Sequence, residues 1–253
     1  MIINVTRSEM QIIDEKDILF CTTALFTKSL DYQKKQIDKF FPESEKIIID
    51  GRHNWPMVWY EWIDKSLDSN KEWIIHIDED CFILDNQYIF EEINKMIDND
   101  FGIGGCPDGH HEYRSCNHMA INSFFMILRR ETLLKWRNYL NSGKDFPQFK
   151  KEWLEPYQFD IKNKSTILNF QKWGTWVRGS EPYYDFMWVL KELGIKFNYM
   201  KPGFENTNSC TTLLNGSIIH AWHLRQIDEF KIVSSLHNIE NNKRYDNIFE
   251  LLN

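Results

Sequence analysis

The chain has 253 residues, of which 42% are hydrophobic, 26% charged and 15% aromatic, which excludes a disordered or fibrous polymer and leaves room for a full hydrophobic core. Its 37 acidic side chains outnumber 30 basic ones for a formal net charge of −7, so it lacks the electrostatic footprint of a polyanion binder and nucleic acid is not the expected partner. No apolar run approaches the length of a transmembrane span, Met1 to Arg7 lack a basic-then-apolar leader pattern, and 5 scattered cysteines read as reduced thiols, so a cytoplasmic protein is expected.

Asp17 to Leu25 reads as the first strand. Leu30 to Phe41 follows as a helix, with Leu30, Ile37 and Phe41 on one face and Pro42 ending it. Lys46 to Asp50 is rich in β-branched residues and predicts a strand covered on both sides, broken by Gly51. Pro56 to Leu67 carries Trp59, Trp62, Ile63 and Leu67 at helical spacing, an aromatic stripe that reads as core before cofactor box. Trp73 to Ile77 is the third strand and runs directly into Asp78-Glu79-Asp80. Asn86 to Ile97 predicts a helix with Ile89, Ile93, Met96 and Ile97 inward, and Phe101 to Gly105 a fourth strand.

Regularity then drops. Gly104 to Gly109, followed by His110, His111, Glu112 and His118, reads as a loop, and Gly102 to Gly105 reads as a tight strand exit because it has the spacing of neither a dinucleotide fingerprint nor a P-loop. Cys106 and Cys116 stand near these histidines without a standard zinc spacing. Asn122 to Arg129 predicts a strand and Glu131 to Leu140 a helix, and residues 141 to 180 form a long irregular connection of the kind that is commonly functional. Tyr183 to Leu193 is a further helix closed by Gly194, and Ile195 to Tyr199 and Ser217 to His220 are late strands. The alternation of strands and helices places the chain in the α/β class.

Asp78 and Asp80 carry the strongest chemical signal, because two carboxylates one residue apart follow a run too apolar for a surface turn. Open α/β sheets bind ligands at the carboxyl ends of their strands. Hard oxygen ligands there favour Mg2+ or Mn2+ over zinc.

The stretch Trp73 to Ile83 resembles the Asp-x-Asp strand of the GT-A glycosyltransferases, in particular the nucleotide-sugar-dependent, family 2-like members. The resemblance implies a Rossmann-like mixed central sheet flanked by helices in a single domain, with residues 1–105 as a nucleotide-sugar-binding half and 106–253 as an acceptor-binding half. Two further segments carry it. Glu181 to Leu190 is similar to the acidic helix start beneath the acceptor, which implies Asp185, then Glu181, as the base that deprotonates an acceptor hydroxyl. Ile218 to Arg225 resembles the late strand whose histidine completes the metal site, with His223 and its neighbour Arg225 preferred over His220.

Asp50 resembles the carboxylate aimed at a nucleobase, with Thr22, Thr23 and Ala24 lining the same pocket, while Arg52 and Arg178 are suited to contact either phosphate or acid groups of the acceptor. The implied donor is a UDP- or GDP-sugar bound by these residues with Asp78, Glu79, Asp80 and Arg225, and the implied acceptor a glycan or glycoconjugate. A metal-dependent sugar nucleotidyltransferase and a non-catalytic carbohydrate-binding protein are the competing expectations.

Overall fold

The computed structural model describes residues 13–52, 55–108, 119–148, 150–153, 182–203 and 211–221, together with Leu224 and Leu252. Glu181, His223, Arg225, Arg178, His110, His111, Glu112, His118, Cys116 and most of the connection before residue 181 lie outside this set.

The most apolar strands take the centre of the main sheet. β1 (Ile18–Ala24) and β3 (Trp73–Asp78) are buried along their whole length. They run parallel to each other, with Thr23 in register with Asp78. β2 (Glu45–Asp50) joins the outer side of β1 in parallel. β6 (Ile121–Arg129) pairs antiparallel with β3, β5 (Phe101–Pro107) antiparallel with β6, and β7 (Lys196–Tyr199) parallel with β5. The six strands lie in the order β2-β1-β3-β6-β5-β7, so the sheet is mixed, as expected for the α/β class.

Helices cover both faces. α2 (Trp55–Asp68), α4 (Arg130–Asn141) and α5 (Pro182–Glu192) bury one face through Trp59, Trp62, Trp136 and Phe186. α1 (Lys28–Phe40) and α3 (Gln87–Asp98) bury the other through Ile37, Ile89, Ile93 and Met96. The expected stripes of α1, α2 and α3 face the core, and each fully buried Leu, Ile or Met side chain stabilises the fold by about 1.5–3 kcal/mol. Ile97 is the exception, only partly buried at the end of α3. No helix among the described residues is long and apolar enough to cross a membrane.

A second, antiparallel sheet takes over where the main one ends. β4 (Cys81–Ile83), β8 (Pro202–Gly203), β9 (Thr211–Leu214) and β10 (Ile218–Ala221) stack in the order β4-β10-β9-β8. β4 and β8 are too short to announce themselves by periodicity, and β4 starts one residue after Asp80.

Two sequence expectations are corrected. β2 is an edge strand, and only Ile49 of its six residues is buried, because nothing pairs with its outer side among the described residues. The glycines of 102–105 lie within β5, which continues to Pro107, and are not a strand exit. Close packing calls for them: a Cβ on Gly105 would lie 2.4 Å from Ile121 Cγ2 and 2.7 Å from the Phe125 carbonyl oxygen, and one on Gly102 would lie 2.5 Å from Thr132 Oγ1.

Candidate active site

β3 ends at Asp78, and the turn Glu79-Asp80 hands the chain to β4, so three successive carboxylates stand at the carboxyl ends of the parallel strands β1 and β3. All three are buried, at 4%, 0% and 1% exposure for Asp78, Glu79 and Asp80. Ionised carboxylates out of water need compensation, and the turn supplies it in two ways.

Glu79 turns back to the start of α1. Its Oε2 accepts from the backbone N–H groups of Phe26 (3.1 Å) and Thr27 (3.4 Å), and its Oε1 accepts from Thr27 Oγ1 (3.2 Å). Thr27 is the N-cap of α1, so the carboxylate sits at the positive end of that helix and holds the two residues that lead into it. The same grip holds Phe26 at φ 62, a left-handed backbone that a bulky residue takes only under constraint.

Asp78 and Asp80 converge instead with His220 of β10. One ligand atom from each of the three side chains lies within 4.8 Å of the other two. His220 Nε2 is 3.4 Å from Asp80 Oδ1. The backbone arranges this meeting: His220 pairs with Cys81 across β4 and β10, and Ala221 N–H donates to the Asp80 carbonyl (2.9 Å). The His220 ring lies flat on Phe124, 4.2 Å between centroids at 7°, which fixes its plane. Cys81 stays a thiol beside them, its pKa pushed well above the ordinary value by burial first and then by the Asp80 and Asp78 carboxylates.

Two carboxylates and an imidazole suit a hard or borderline divalent cation. Ligand atoms about 2.1 Å from an octahedral ion lie about 3 to 4.2 Å apart, and the three here lie within 4.8 Å of one another. The buried negative charge of the pair favours such an ion further.

Ala24, Asp50 and Arg52 stand at the same edge of the sheet. Asp50 and Arg52 are engaged with each other, Arg52 Nε donating to Asp50 Oδ1 (2.9 Å) and Nη2 to Oδ2 (2.6 Å). The Arg52 guanidinium lies 4.7 Å over the exposed Phe26 ring, which joins β2, the loop after β1 and Glu79 into one rim. Ala24 is tied to this rim by Gly51 N–H, which donates to its carbonyl (2.7 Å). The hydroxyls of Thr22 and Thr23 turn inward, to Gln33 Oε1 (2.9 Å) and His76 Nε2 (3.1 Å). Of the two histidines weighed for the cation, His220 is the one the described residues bring to Asp78 and Asp80.

Asp185 stands half-buried in the first turn of α5, and a residue that the sequence did not single out anchors that turn. Asp108, fully buried after β5, accepts from Tyr184 Oη (2.5 Å) and from Asn122 Nδ2, which ties α5 to β5 and β6. Tyr184→Phe removes a hydrogen bond to a buried charged group. It should cost about 1.5–3 kcal/mol, read from the urea midpoint, while the circular dichroism of the native state stays unchanged.

Fold and site together define an α/β protein with a mixed central sheet and a buried Asp-Asp-His cluster at the carboxyl ends of its parallel strands. No protein-family profile and no curated protein matches the sequence. Among solved structures it is similar to A197 from STIV, at 11% identity and a TM-score of 0.44 over 81% of this chain and 93% of that one. A glycosyltransferase involved in the glycosylation of the major capsid of PBCV-1 is 10% identical with a TM-score of 0.40 over 72% and 80% of the two chains. The mannosyltransferase PcManGT from Pyrobaculum calidifontis, solved with GDP-Man and Mn2+, is 10% identical with a TM-score of 0.35 over 56% and 51%.

Proposed function

We propose that the chain is a GT-A-type glycosyltransferase that moves a sugar from a UDP- or GDP-sugar to a hydroxyl of a glycan or glycoconjugate. The observation that carries this reading is the buried meeting of Asp78, Asp80 and His220 where β1 and β3 end. These three would hold Mn2+ or Mg2+, which supplies Lewis-acid neutralisation of the charge on a departing nucleoside diphosphate.

The protein's own groups do the rest. Asp50 accepts an N–H of uracil or guanine once Arg52 turns from it to a phosphate oxygen, and Arg225 grips a further diphosphate oxygen. Glu79 keeps the rim around Phe26 and Thr27 in place beside the donor. Asp185, with Glu181 as second choice, takes the proton from the acceptor hydroxyl. A base in that position makes the displacement direct and inverts the anomeric centre.

A panel of UDP- and GDP-sugars with a glycan acceptor, with and without Mn2+, tests the proposal. Release of nucleoside diphosphate that needs the metal is the expected result. Release of pyrophosphate from a nucleoside triphosphate and a sugar phosphate would assign a nucleotidyltransferase. Glycan binding with no turnover of any donor would leave a binding protein.

A further inference from the structure

The carboxylate turn is gripped from behind by a side chain with no part in the chemistry above. Gln33 belongs to α1 and is completely buried. Its Nε2 donates to the backbone carbonyls of Asp78 and Cys81, the latter at 3.0 Å, and these two carbonyls bracket Glu79 and Asp80. Its Oε1 accepts from Thr22 Oγ1 at 2.9 Å. The orientation of the amide follows from its partners. Carbonyl oxygens only accept, so the NH2 must face them, and both of its hydrogens are then in use while the hydroxyl of Thr22 serves the oxygen.

The grip is mutual. Gln33 holds the backbone of the turn, and Glu79, from within the turn, holds Phe26 and Thr27 at the entry to the helix that carries Gln33. On the far side, Ala221 N–H holds the Asp80 carbonyl at 2.9 Å. The backbone from Asp78 to Cys81 is therefore clamped between α1 and β10.

We propose that Gln33 is a positioning residue for the cation site, fixing the Asp78–Cys81 backbone so that the two carboxylates converge on His220. The inference rests on the reading of Asp78, Asp80 and His220 as cation ligands. A supporting group of this kind, behind the ligands, typically changes metal affinity about 10- to 100-fold when removed.

The same helix provides a control. Gln36 is another buried amide, whose Nε2 donates to the Leu252 carbonyl (2.7 Å) away from the turn. Mn2+ titrated calorimetrically into the full chain, alongside thermal melts, compares the wild type with Gln33→Met and Gln36→Met, which keep the side-chain length and remove the donors. Gln33→Met should bind Mn2+ about 10- to 100-fold more weakly. Gln36→Met should keep wild-type affinity although it too melts earlier. Equal affinity in Gln33→Met and the wild type overturns the proposal and leaves the cation site standing. Equal weakening in both variants also overturns it, since helix stability alone would then account for the effect. A wild type that takes up no Mn2+ removes the cation site and the proposal with it. If Gln33→Met gives no cooperative melt, Gln33→Asn is titrated instead, since it keeps a buried amide and draws its donors back from the two carbonyls by one methylene. Weaker binding there supports the clamp, and unchanged binding overturns it.

Discussion

Asp80→Asn should lower metal-dependent donor turnover by about a thousandfold, because a Lewis acid at a leaving diphosphate contributes several kcal/mol to the barrier and each 1.36 kcal/mol is a factor of ten. Stability should move in the opposite direction. Asp78 and Asp80 are buried within a few ångströms of each other, so without metal the variant loses one of two like charges held out of water and should melt above the wild type. With metal the order should reverse. An ion present at about a hundred times its Kd stabilises the wild-type fold by about 2.7 kcal/mol, and the variant should gain little. Thermal melts with EDTA and with Mn2+, run beside the donor assay, read all three effects. Undiminished turnover in Asp80→Asn, or an equal Mn2+ shift in both proteins, would remove Asp80 from the site.

Trp62→Ala should be the most destabilising single change on the helical face, at about 3–5 kcal/mol by urea denaturation. Trp62 is fully buried, with ring centroids 5.1 Å from Trp59, 4.7 Å from His76 and 6.4 Å from Phe186. Those contacts join α2 to β3 and to α5, whose first turn carries Asp185. His76 depends on the same packing. Its Nδ1 donates to the Ser123 carbonyl at 2.8 Å, which leaves Nε2 for Thr23, so the ring links β1, β3 and β6 beneath the carboxylate turn. The outcome also decides what the aromatic stripe is for. If Trp62→Ala kept its stability and lost only affinity for a glycan, the stripe would be a binding wall and not core.

Elements with a long, regular apolar pattern were legible in the sequence. α1, α2, α3, β1 and β3 follow it closely, because burial of one face of a helix or both faces of a strand leaves a period that local reading detects. The acidic turn at the end of β3 was legible for the same reason: a strand that apolar must be central, and whatever follows it stands at the sheet's carboxyl end. β4 was not legible, since a strand of 3 residues leaves no period. The edge position of β2 was also hidden, because isoleucines in a row look alike at an edge and at the centre.

Gln33 illustrates the boundary. It falls on the stripe of Leu30 and Ile37, and a polar residue among apolar ones at helical spacing is a signal that something polar lies opposite. What lies opposite is a pair of carbonyls 45 and 48 residues away, which no local pattern names. Asp108 is similar: in the sequence it belongs to a Gly-Pro-rich stretch that reads as loop, whereas in the fold it is fully buried against Tyr184, 76 residues further on.

By itself, then, the sequence determined the class of fold, the stripes that form its core and the tripeptide Asp78-Glu79-Asp80 as the place to look, because each is written in spacings of a few residues. Only the tertiary structure decided that Glu79 turns to the residues leading into α1 while Asp78 and Asp80 turn to His220. Those roles depend on which groups the pairing of β4 with β10 and the packing of α1 bring within hydrogen-bonding distance, and long-range closure of that kind leaves no periodic trace in the chain.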